Sequence, residues 1–352
     1  YSSNANSINP NVVNNAAPFQ RGGAEELADH LVRRLNATPG VQSELVRVPF
    51  TWEPAERLID EMLIARGLRL PNVDRVIGLK FPAYLIPHHD KVLWLLHQFR
   101  QAYDLSEAGQ SHLDFDETGR TVKAAIRAAD NACFADCRKI YCNSPVTQNR
   151  LMKFNGVPSE VLYPPLNDGE LFTGGDYGDY VFAGGRVAAG KRQHLLIEAL
   201  ALLPNGPRLV IAGPPENDAY VDRLRKLVED LDLKDRVSLR FGFHPREDIA
   251  RWANDALACA YLPFDEDSVG YVTMEAFAAG KAVLTVTDSG GLLEIVSEET
   301  GAVSEPTPAA LSEALDRLTS DRGRAMSRGA TARDLWRNKN VTWEATVRRL
   351  LD

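Results

Sequence analysis

Short apolar runs alternate with amphipathic segments through most of this sequence. In the second half, the apolar runs YVFAGG, RLVIAG and LACAYLP alternate with the amphipathic segments RQHLLIEALALL, YVDRLRKLVEDLDL and REDIARWANDA. Short apolar runs between turn residues favour buried strands, and apolar residues spaced three and four apart favour helices. Strands that alternate with helices are typical of βαβ units, whose strands pair in parallel. The sequence therefore predicts an α/β protein.

The same alternation occupies the first half of the chain. The predicted strands there are NVVNNA, SELVRVPF, RVIGLK, KVLWLLHQ and KIYCNS, and the predicted helices cover residues 24–36 and 121–136. Residues 104–119 are polar and acidic, so we predict a loop, and loops of that length are often functional. The last residues, 341–352, are predicted to form an amphipathic helix.

A segment rich in proline and glycine, YPPLNDGELFTGGDYGDY, separates the two halves at residues 163–180. Proline and glycine interrupt regular elements, and the strand–helix pattern restarts after this segment. A chain of 352 residues has room for two domains of about 100–200 residues each. We predict two doubly wound, Rossmann-like domains that face each other across a cleft, at residues 1–165 and 166–335.

Composition excludes several classes of function. The net charge is −8 and the isoelectric point is about 5.5, whereas binding to nucleic-acid phosphates needs clustered lysine and arginine. The longest apolar runs are shorter than the roughly 18–20 residues of a transmembrane helix. The first residues lack the basic and then apolar order of a secretory signal. We therefore expect a cytoplasmic protein without a nucleic-acid partner or a transmembrane segment.

The cysteines and histidines do not indicate a metal site. Of the four cysteines, Cys133 and Cys137 lie four residues apart in a predicted helix and share a face. Neither a second close pair of cysteines nor suitably spaced histidines follows, so we predict reduced thiols rather than a zinc site. His88 and His89 also lack further ligands nearby in the sequence and are predicted to lie in a polar loop. No metal or cofactor is expected.

Ligands in open α/β sheets bind outside the carboxyl ends of the strands. The loops that follow the predicted strands are therefore the candidate binding loops. They are residues 18–24, the residues around His97, and residues 184–193, 213–218, 242–244 and 264–272.

The segment GRVAAGKR, residues 185–192, nearly matches the phosphate-binding loop G-x-x-x-x-G-K-[ST] of nucleotide triphosphatases and kinases. That motif requires a hydroxyl to hold magnesium where this chain has Arg192. We favour a different interpretation, in which Arg186 and Lys191 neutralise a diphosphate without a metal and the following helix N-terminus adds N–H groups. The alternative is that both residues are solvated loop charges.

The segment DEDSVGYVTMEAF, residues 265–277, allows two interpretations. Asp265 and Asp267 form a D-x-D pair, which holds manganese or magnesium on a diphosphate in metal-dependent sugar transferases, although those enzymes carry it in a single nucleotide-binding domain. Asp267 and Glu275 are eight positions apart, and a carboxylate on a helix can accept two hydrogen bonds from a ribose diol. The N–H groups of residues 270–272 can meet a phosphate.

These segments, in this order, resemble the retaining glycosyltransferases of family four, which have the two-domain GT-B fold. DSVGYVTMEAFAAGKAVLTVTDSGGLLEIV resembles the Glu-x7-Glu segment of that family, FAGGRVAAGK its Arg…Lys diphosphate loop, and PFQRGGAEELADHL its N-terminal Gly-Gly loop. LWLLHQ resembles the strand that ends in an active-site histidine. Two positions differ from the family pattern: Asp267 replaces the first Glu, and Arg192 replaces the usual Gly.

The resemblance implies catalytic roles for the matching residues. Arg186 and Lys191 would hold the diphosphate and stabilise the leaving nucleotide, and Glu275 would bind the ribose hydroxyls. Asp267 would line the sugar pocket, and His97 would hydrogen-bond the transferred sugar. The remaining donor-binding positions would be Gly22, Gly23, Gly270, Tyr271, Val272 and Phe243. The resemblance also implies that the C-terminal helix, residues 336–352, completes an acceptor-side N-terminal domain, and that the C-terminal domain binds the donor.

The implied reaction is the transfer of a hexosyl or N-acetylhexosaminyl group from a nucleotide sugar, such as a UDP- or GDP-sugar, to an acceptor hydroxyl. The configuration would be retained and no metal would be needed. The acceptor would be a small molecule, a glycan or a glycolipid. Two alternatives stay open: a sugar-nucleotide epimerase on the same fold, and a non-catalytic subunit that binds nucleotide sugars, which is suggested by Asp267.

Overall fold

The computed structural model describes residues 8–17 and 22–352. The chain divides into two compact units, of which the first contains Tyr1–Pro165 and Thr342–Asp352 and the second contains Leu166–Val341. The sequence analysis placed the return to the first unit at residue 336. The return comes later because the helix at Arg322–Asn338 runs through that position and lies in the second unit.

The first unit is built on a parallel six-stranded sheet with the strand order β2-β1-β3-β4-β5-β6. Its strands are β1 (Pro10–Ala16), β2 (Leu45–Pro49), β3 (Arg75–Lys80), β4 (Lys91–His97), β5 (Lys139–Cys142) and β6 (Glu160–Val161). The helices between them are α1 (Gly23–Asn36), α2 (Arg57–Gly67), α3 (Asp104–Glu107), α4 (Glu117–Ala135) and α5 (Pro145–Asn155).

Strand β4 shows why the sheet strands are apolar runs. Its residues are buried up to His97, which is partly exposed at the carboxyl end. Leu93 and Leu95 belong to one hydrophobic cluster, and Trp94 and Leu96 belong to another. Successive side chains of a strand point to opposite faces, so both faces of this sheet are covered, as is usual for parallel sheets.

The second unit is built on another parallel six-stranded sheet with the order β12-β11-β10-β7-β8-β9. Its strands are β7 (Tyr180–Gly184), β8 (Arg208–Gly213), β9 (Val237–Phe241), β10 (Ala258–Ala260), β11 (Val283–Val286) and β12 (Gly301–Ser304). The helices are α6 (Gln193–Ala201), α7 (Asp218–Asp230), α8 (Arg246–Asp255), α9 (Tyr271–Ala278), α10 (Pro308–Thr319) and α11 (Arg322–Asn338). The prediction of two doubly wound sheets is confirmed.

The predicted C-terminal helix is present as α12 (Trp343–Leu351). Trp343, Val347 and Leu350 are buried in the same cluster as residues of α1. Tyr141 donates a hydrogen bond of 2.9 Å from its hydroxyl to the carbonyl of Arg349. The helix is therefore part of the core of the first unit.

The prediction of a loop over residues 104–119 is wrong. The segment contains α3, a short 3-10 turn at His112–Asp114 and the start of α4. Leu113 is fully buried, and a Cβ on Gly119 would lie 2.5 Å from the Leu113 carbonyl oxygen. The segment packs against α4 through the buried side chain of Leu113 and through the close approach of its backbone to Gly119. A polar composition is therefore compatible with this ordered structure.

The sequence analysis also did not identify α2 and α5. Helix α2 exposes Leu63 and Ile64, so its apolar residues do not form one clean stripe. Helix α5 begins with Ser144 as its cap and Pro145 in its first turn, which are ordinary helix-start signals. Within the described part of the chain, no helix combines the length and the apolar character that crossing a membrane requires.

Candidate active site

The candidate site of the second unit lies where its sheet changes direction. The chain proceeds from β7 to β8 on one side, and β10 pairs with β7 on the other side. Ligands of doubly wound sheets bind at this switch point, outside the carboxyl ends of the strands. The two segments that the sequence analysis singled out, residues 185–192 and 265–277, directly follow β7 and β10. The fold therefore brings them to neighbouring positions.

Backbone hydrogen bonds fix the acidic segment between two other loops. The N–H of Phe264 donates to the Gly190 carbonyl at 2.9 Å, which joins the acidic segment to the proposed diphosphate loop. The N–H of Glu266 donates to the Ser289 carbonyl at 3.2 Å, and the Gly291 N–H donates to the Glu266 carbonyl at 2.7 Å. Both backbone groups of Glu266 are therefore hydrogen-bonded, which fixes the position from which its side chain projects.

The turn at Gly290 explains the Gly-Gly pair of the sequence. Gly290 has a φ of 72°, which favours glycine. A Cβ at this position would lie 2.4 Å from the Glu266 carbonyl oxygen and 2.7 Å from its nitrogen. A larger residue would push the acidic segment away, so the glycine is needed for close packing of two backbones.

Lys191 is held by a carboxylate that the sequence analysis left without a role. Its ammonium pairs with Glu266 Oε2 and lies 5.2 Å from the centre of the Tyr261 ring. The Tyr261 hydroxyl donates to the same carboxylate oxygen at 3.1 Å. Burial and the negative charge of Glu266 raise the pKa of Tyr261 well above its usual value, so the phenol stays a neutral donor. Sequence reasoning did not assign Glu266 this role.

Arg186 is exposed, and its backbone lies beside the start of α9. The preceding Gly185 has a φ of 98°, and a Cβ there would lie 2.9 Å from a methyl of Val272. The side-chain amide of Gln193 donates to the Arg186 carbonyl at 2.9 Å. The positive charge of Arg186 opposes the rise in the pKa of Tyr261. The Arg186 guanidinium therefore acts electrostatically on the same ring that lies beside Lys191 and Glu266.

The N-terminus of α9 faces the same region. Its cap is Gly270, with a φ of 74°, and a Cβ there would lie 2.7 Å from the Tyr261 ring. Glycine has no side chain with which to cap the first turn, and that turn, which begins with Tyr271 and Val272, carries no acidic residue. An uncapped helix N-terminus attracts anions through its N–H groups and its dipole. Asp267 lies partly buried in the preceding loop.

Glu275 projects from α9 and is nearly buried, with a side chain that is 9% exposed. The Arg246 Nη1 donates to Glu275 Oε1 at 2.8 Å, and Arg246 Nη2 donates to the Asn167 carbonyl at 3.3 Å. The guanidinium of Arg246 lies 5.1 Å from the centre of the Phe172 ring. A buried carboxylate needs such a cation to stay charged. Sequence reasoning missed Arg246, although its position at the start of α8, just after the loop that follows β9, was a usable signal.

Arg192 has a structural task that differs from that of a phosphate-binding loop. Its two terminal nitrogens donate to the carboxylate of Asp288 at 2.7 and 2.9 Å. It also donates to the carbonyls of Leu262 at 2.8 Å and Pro263 at 2.7 Å. Arg192 therefore ties the end of β10 to the turn after β11, and it supplies no magnesium ligand.

Phe243 lies in the loop after β9, the edge strand of the second sheet, and it is 80% exposed. The neighbouring His244 packs edge-on against Trp252, with ring centres 5.0 Å apart. The structure does not bring Phe243 into the cluster around Lys191 and Glu275. Its stacking role stays a prediction.

The predicted site residues of the first unit gather at the carboxyl edge of its own sheet. His97 ends β4, opposite Lys80 at the end of β3. Burial, followed by the charge of Lys80, lowers the pKa of His97 to about 4, so its ring is neutral near pH 7. His97 Nδ1 lies 2.7 Å from the Gln98 carbonyl and donates to it in the tautomer with a proton on that nitrogen. The sequence analysis did not single out Lys80.

The predicted glycine loop is described in part. Gly22 caps α1, and its N–H donates to Glu25 Oε2 at 2.8 Å. Glu25 also pairs with Lys80 at 3.8 Å, which connects Gly22 and the adjacent Gly23 to the edge where His97 lies. Residues 18–21 of the predicted loop lie outside the described residues.

The histidines and acidic residues proposed as metal alternatives have other contacts. His88 places both ring nitrogens against carbonyl oxygens, at 2.8 Å from Asp90 and 3.0 Å from Val73. The N–H of Asp265 donates to the carbonyl of Asp288 at 2.9 Å. Over residues 8–17 and 22–352, no three histidine, cysteine or acidic side chains are grouped as metal ligands. Metal independence nevertheless stays a prediction.

Comparison with known proteins identifies the second unit. Residues 176–335 match the family described as glycosyl transferases group 1. The alpha-1,3/1,6-mannosyltransferase ALG2 of Mus musculus is 33% identical over 104 residues, which cover 30% of this chain and 25% of that protein. A GDP-mannose-dependent alpha-(1-6)-phosphatidylinositol monomannoside mannosyltransferase of Mycolicibacterium smegmatis is 27% identical over 387 residues, which cover 97% of both proteins.

The extent of these matches varies. This chain spans less than half of the length of the first curated relatives it matches, from 25% to 45%. A crystal structure of HepE from Anabaena, in complex with UDP, superposes with a TM-score of 0.72 at 16% identity, over 98% of each chain. That likeness confirms the predicted GT-B fold with its two Rossmann-like domains. The match thus places residues 176–335, most of the second unit, in the group 1 glycosyl transferase family, and the superposition extends the shared fold to the whole chain.

Proposed function

We propose that the protein is a retaining glycosyltransferase that moves a sugar from a nucleoside diphosphate sugar to an acceptor hydroxyl without a bound metal. The observation that carries this proposal is the gathering of Lys191, Arg186, Glu275 and the uncapped start of α9 around Tyr261. Two cations and a helix N-terminus suit a diphosphate, and a buried carboxylate one helical turn away suits a ribose. The family match of residues 176–335 supports the same assignment.

The diphosphate would be held by Arg186 and Lys191. The Lys191 ammonium has three donors, so a phosphate oxygen can join or replace Glu266 as its acceptor. A diphosphate carries more negative charge than one carboxylate, which favours that exchange. As the bond to the sugar breaks, charge accumulates on the leaving phosphate, and prepositioned cations stabilise it. The N–H groups of residues 270–272 would contribute to the same stabilisation.

The ribose would be recognised by Glu275. Its Oε1 accepts from Arg246, and a charged carboxylate has further acceptor positions for the two hydroxyls of a ribose. The pairing with Arg246 keeps the carboxylate charged although it is nearly buried. Asp267 would line the pocket for the sugar, and Gly22 and Gly23, at the start of α1, would offer N–H groups to a phosphate or a sugar hydroxyl.

The transferred sugar would hydrogen-bond to His97. Because its pKa is lowered to about 4, the imidazole is neutral at physiological pH and can orient a sugar hydroxyl without adding a positive charge. The leaving diphosphate would take the proton of the attacking hydroxyl on the same face of the sugar. No protein nucleophile is then needed, in contrast to retaining glycosidases, which use two carboxylates.

The donor would be a UDP- or GDP-sugar or a similar nucleotide sugar. The M. smegmatis relative is named as dependent on GDP-mannose, and the Anabaena neighbour was solved with UDP. The proposed transfer is of a hexosyl or N-acetylhexosaminyl group. The acceptor would be a small molecule, a glycan or a glycolipid, and the proposed location is the cytoplasm.

Substitution of the two cations tests the diphosphate assignment. Lys191→Ala and Arg186→Ala should each reduce release of nucleoside diphosphate by on the order of a hundredfold or more, since each removes a charge aimed at the leaving group. Turnover would be measured with UDP-glucose and GDP-mannose over a panel of acceptors. Lys226→Ala serves as the control because this exposed lysine of α7 pairs with Asp230, away from the switch point. Near-normal turnover in both site variants would refute the assignment.

Removal of divalent metal tests the proposed metal independence. Turnover should be unchanged in excess EDTA, because Arg186 and Lys191 supply the positive charge that a metal would otherwise supply. The control is the same reaction after manganese or magnesium is added back. Activity that disappears in EDTA and returns with manganese would instead support the metal-binding role of Asp265 and Asp267.

A further inference from the structure

Lys91 of the first unit is a buried cation with an unusual environment. It is 2% exposed at the start of β4. Its ammonium donates to the Tyr84 carbonyl at 3.0 Å and to the sulfur of Cys133 at 3.5 Å. No carboxylate among the described residues forms an ion pair with it. Since burial of an uncompensated ammonium costs several kcal/mol, the sulfur is the natural place for the compensating charge.

Asp130, a buried carboxyl on the same helix as Cys133, does not compensate the charge of Lys91. Asp130 accepts hydrogen bonds from the hydroxyls of Tyr84 and Tyr103, each at 2.9 Å. Burial raises the pKa of Asp130 to about 8, so this group is mostly protonated near pH 7. Asp130 is thus a largely neutral member of a tyrosine network, and it leaves Lys91 without an anionic oxygen.

The sulfur of Cys133 has contacts that favour the thiolate. Hydrogen bonding from Cys137 and the Lys91 ammonium, 3.5 Å from the sulfur, lower the pKa of Cys133, against burial and the charge of Asp136, which raise it. In the protonated form the S–H can donate to the Tyr84 carbonyl at 3.2 Å. In the ionised form Lys91 donates to both the carbonyl and the sulfur. The ammonium therefore favours the thiolate, which is the reactive form of a cysteine.

Cys137 is placed to react with its neighbour. It follows Cys133 by four residues at the end of α4, is partly exposed, and donates from its sulfur to the Cys133 carbonyl at 3.2 Å. Helix α4 ends at Ala135, so Cys137 lies two residues beyond the helix, and its sulfur approaches the backbone of Cys133. Hydrogen bonding to the Cys133 sulfur and burial raise the pKa of Cys137. This thiol therefore stays protonated while Cys133 carries the charge.

We propose that Cys133 is a peroxide-reactive thiolate, that Lys91 sets its charge, and that Cys137 closes a disulfide with it. The Cys133 thiolate attacks one oxygen of hydrogen peroxide, the O–O bond breaks, and the departing hydroxide takes a proton to become water. This step oxidises the sulfur to a sulfenic acid and reduces the peroxide. Cys137 sulfur then attacks the sulfenic sulfur, the S–O bond breaks, and the hydroxide leaves as water with the thiol proton.

The two steps are linked through the charge on Cys133. Once Cys133 is a neutral sulfenic acid, the negative charge that kept Cys137 protonated is gone. The pKa of Cys137 then falls toward its ordinary value, and its attack becomes easier. The first oxidation thus prepares the second thiol, which is the behaviour of a resolving cysteine.

The remaining cysteines provide internal controls. Burial raises the pKa of Cys142 to about 11 and that of Cys259 to about 12. Cys142 contacts the hydroxyl of Ser159 at 3.3 Å, and neither cysteine has an ammonium donating to its sulfur in the described part of the chain. Both should stay reduced under conditions that oxidise Cys133.

The test is oxidation of the whole protein with a modest excess of hydrogen peroxide, followed by alkylation of the remaining thiols and mass spectrometry of the peptides. We expect a bond between Cys133 and Cys137, with Cys142 and Cys259 still alkylated. In Cys137→Ser, the sulfenic acid on Cys133 should accumulate and react with dimedone. The proposal is overturned if Cys133 oxidises no faster than Cys259, or if dimedone does not label Cys133 in Cys137→Ser.

The role of Lys91 is tested separately. Lys91→Met should slow oxidation of Cys133 several-fold near pH 7, because loss of the ammonium raises the pKa of the thiol and each unit of that rise lowers the thiolate fraction by up to about tenfold. Circular dichroism verifies that this variant is folded. If it is not, the pH dependence of iodoacetamide alkylation in the unaltered protein replaces it, with a midpoint for Cys133 expected below the ordinary pKa of a cysteine, about 8.5. An unchanged rate in folded Lys91→Met, or a midpoint above pH 9, would contradict the proposed role.

Discussion

At the scale of single residues, two carboxylates near the proposed diphosphate site have opposite expected effects. Glu275→Gln removes the charge that would accept the ribose hydroxyls, and hydrogen bonds to a charged group contribute about 1.5–3 kcal/mol. The Kd for UDP or GDP should therefore rise about 10–100-fold. Glu266→Gln removes a negative charge that competes with the diphosphate for Lys191, so the Kd should fall several-fold. Isothermal calorimetry measures both Kd values. Equal weakening of nucleotide binding by the two substitutions would contradict these roles.

His97 should make the folded protein less stable in mild acid. Its pKa is lowered to about 4, whereas a histidine in an unfolded chain has a pKa near 6.5. As the pH falls from 7 to 5, the unfolded state gains a proton that the folded state does not, so the free energy of unfolding falls by on the order of 2 kcal/mol. Below about pH 4 the folded state is protonated too, and this loss stops growing.

Substitution isolates this contribution from those of other groups. Urea denaturation at pH 7 and pH 5 should show a smaller loss of stability in His97→Gln than in the unaltered protein. The exposed His89 provides a control, since His89→Gln should lose as much stability as the unaltered protein. A loss in His97→Gln equal to that of the unaltered protein would mean that His97 is not held neutral by its surroundings.

Sequence reasoning identified those proposed site residues whose spacing is local, and it missed those whose roles depend on contacts between distant parts of the chain. Arg186, Lys191 and Glu275 were indicated by spacing within one loop or one helix. Glu266 and Arg246 were not, because their functions depend on contacts with residues 75 and 29 positions away in the chain. The Glu266 contact depends on the pairing of β7 with β10, and the Arg246 contact depends on the packing of α8 against α9. Spacing along the chain encodes neither.

At the scale of elements, the turn at Gly290 should control the shape of the site. Gly290→Ala places a Cβ 2.4 Å from the Glu266 carbonyl oxygen at a φ of 72°, so the segment 265–277 must shift, and the N–H groups of residues 270–272 move with it away from the proposed phosphate position. The Kd for nucleoside diphosphate should rise several-fold while the chain stays folded. Gly67→Ala is the control, because a Cβ there meets nothing within 4 Å. Equal binding by the two variants, measured by calorimetry, would contradict this account of the turn.

The predicted strands were confirmed more completely than the predicted helices and loops. Buried strands such as β4 are continuous apolar runs because both faces of their sheet are covered. Helix α2 lacked such a signal because Leu63 and Ile64 are exposed on it. Residues 104–119 were predicted as a loop because polar composition does not reveal a single buried Leu113 that anchors short helices.

At the scale of the whole molecule, each unit has its own sheet and its own hydrophobic core. The first unit is completed by α12, which comes from the far end of the chain. The proposed donor groups lie together in the second unit, so nucleotide binding should stabilise that unit in particular. A ligand that binds the folded state stabilises it by about 2.7 kcal/mol when its concentration is 100 times the Kd.

Thermal unfolding with UDP, GDP and ADP in excess EDTA tests the central claim most directly. For a domain of roughly 150–250 residues, each kcal/mol raises the Tm by about 2–4 °C, so at least one of these diphosphates should raise the Tm by about 5–10 °C near saturation. The same nucleotide should give little or no shift with Lys191→Ala, and a normal shift with Lys226→Ala. No shift with any diphosphate, or an equal shift in Lys191→Ala, would contradict the assignment of residues 185–192 and 265–277 as a metal-independent diphosphate site.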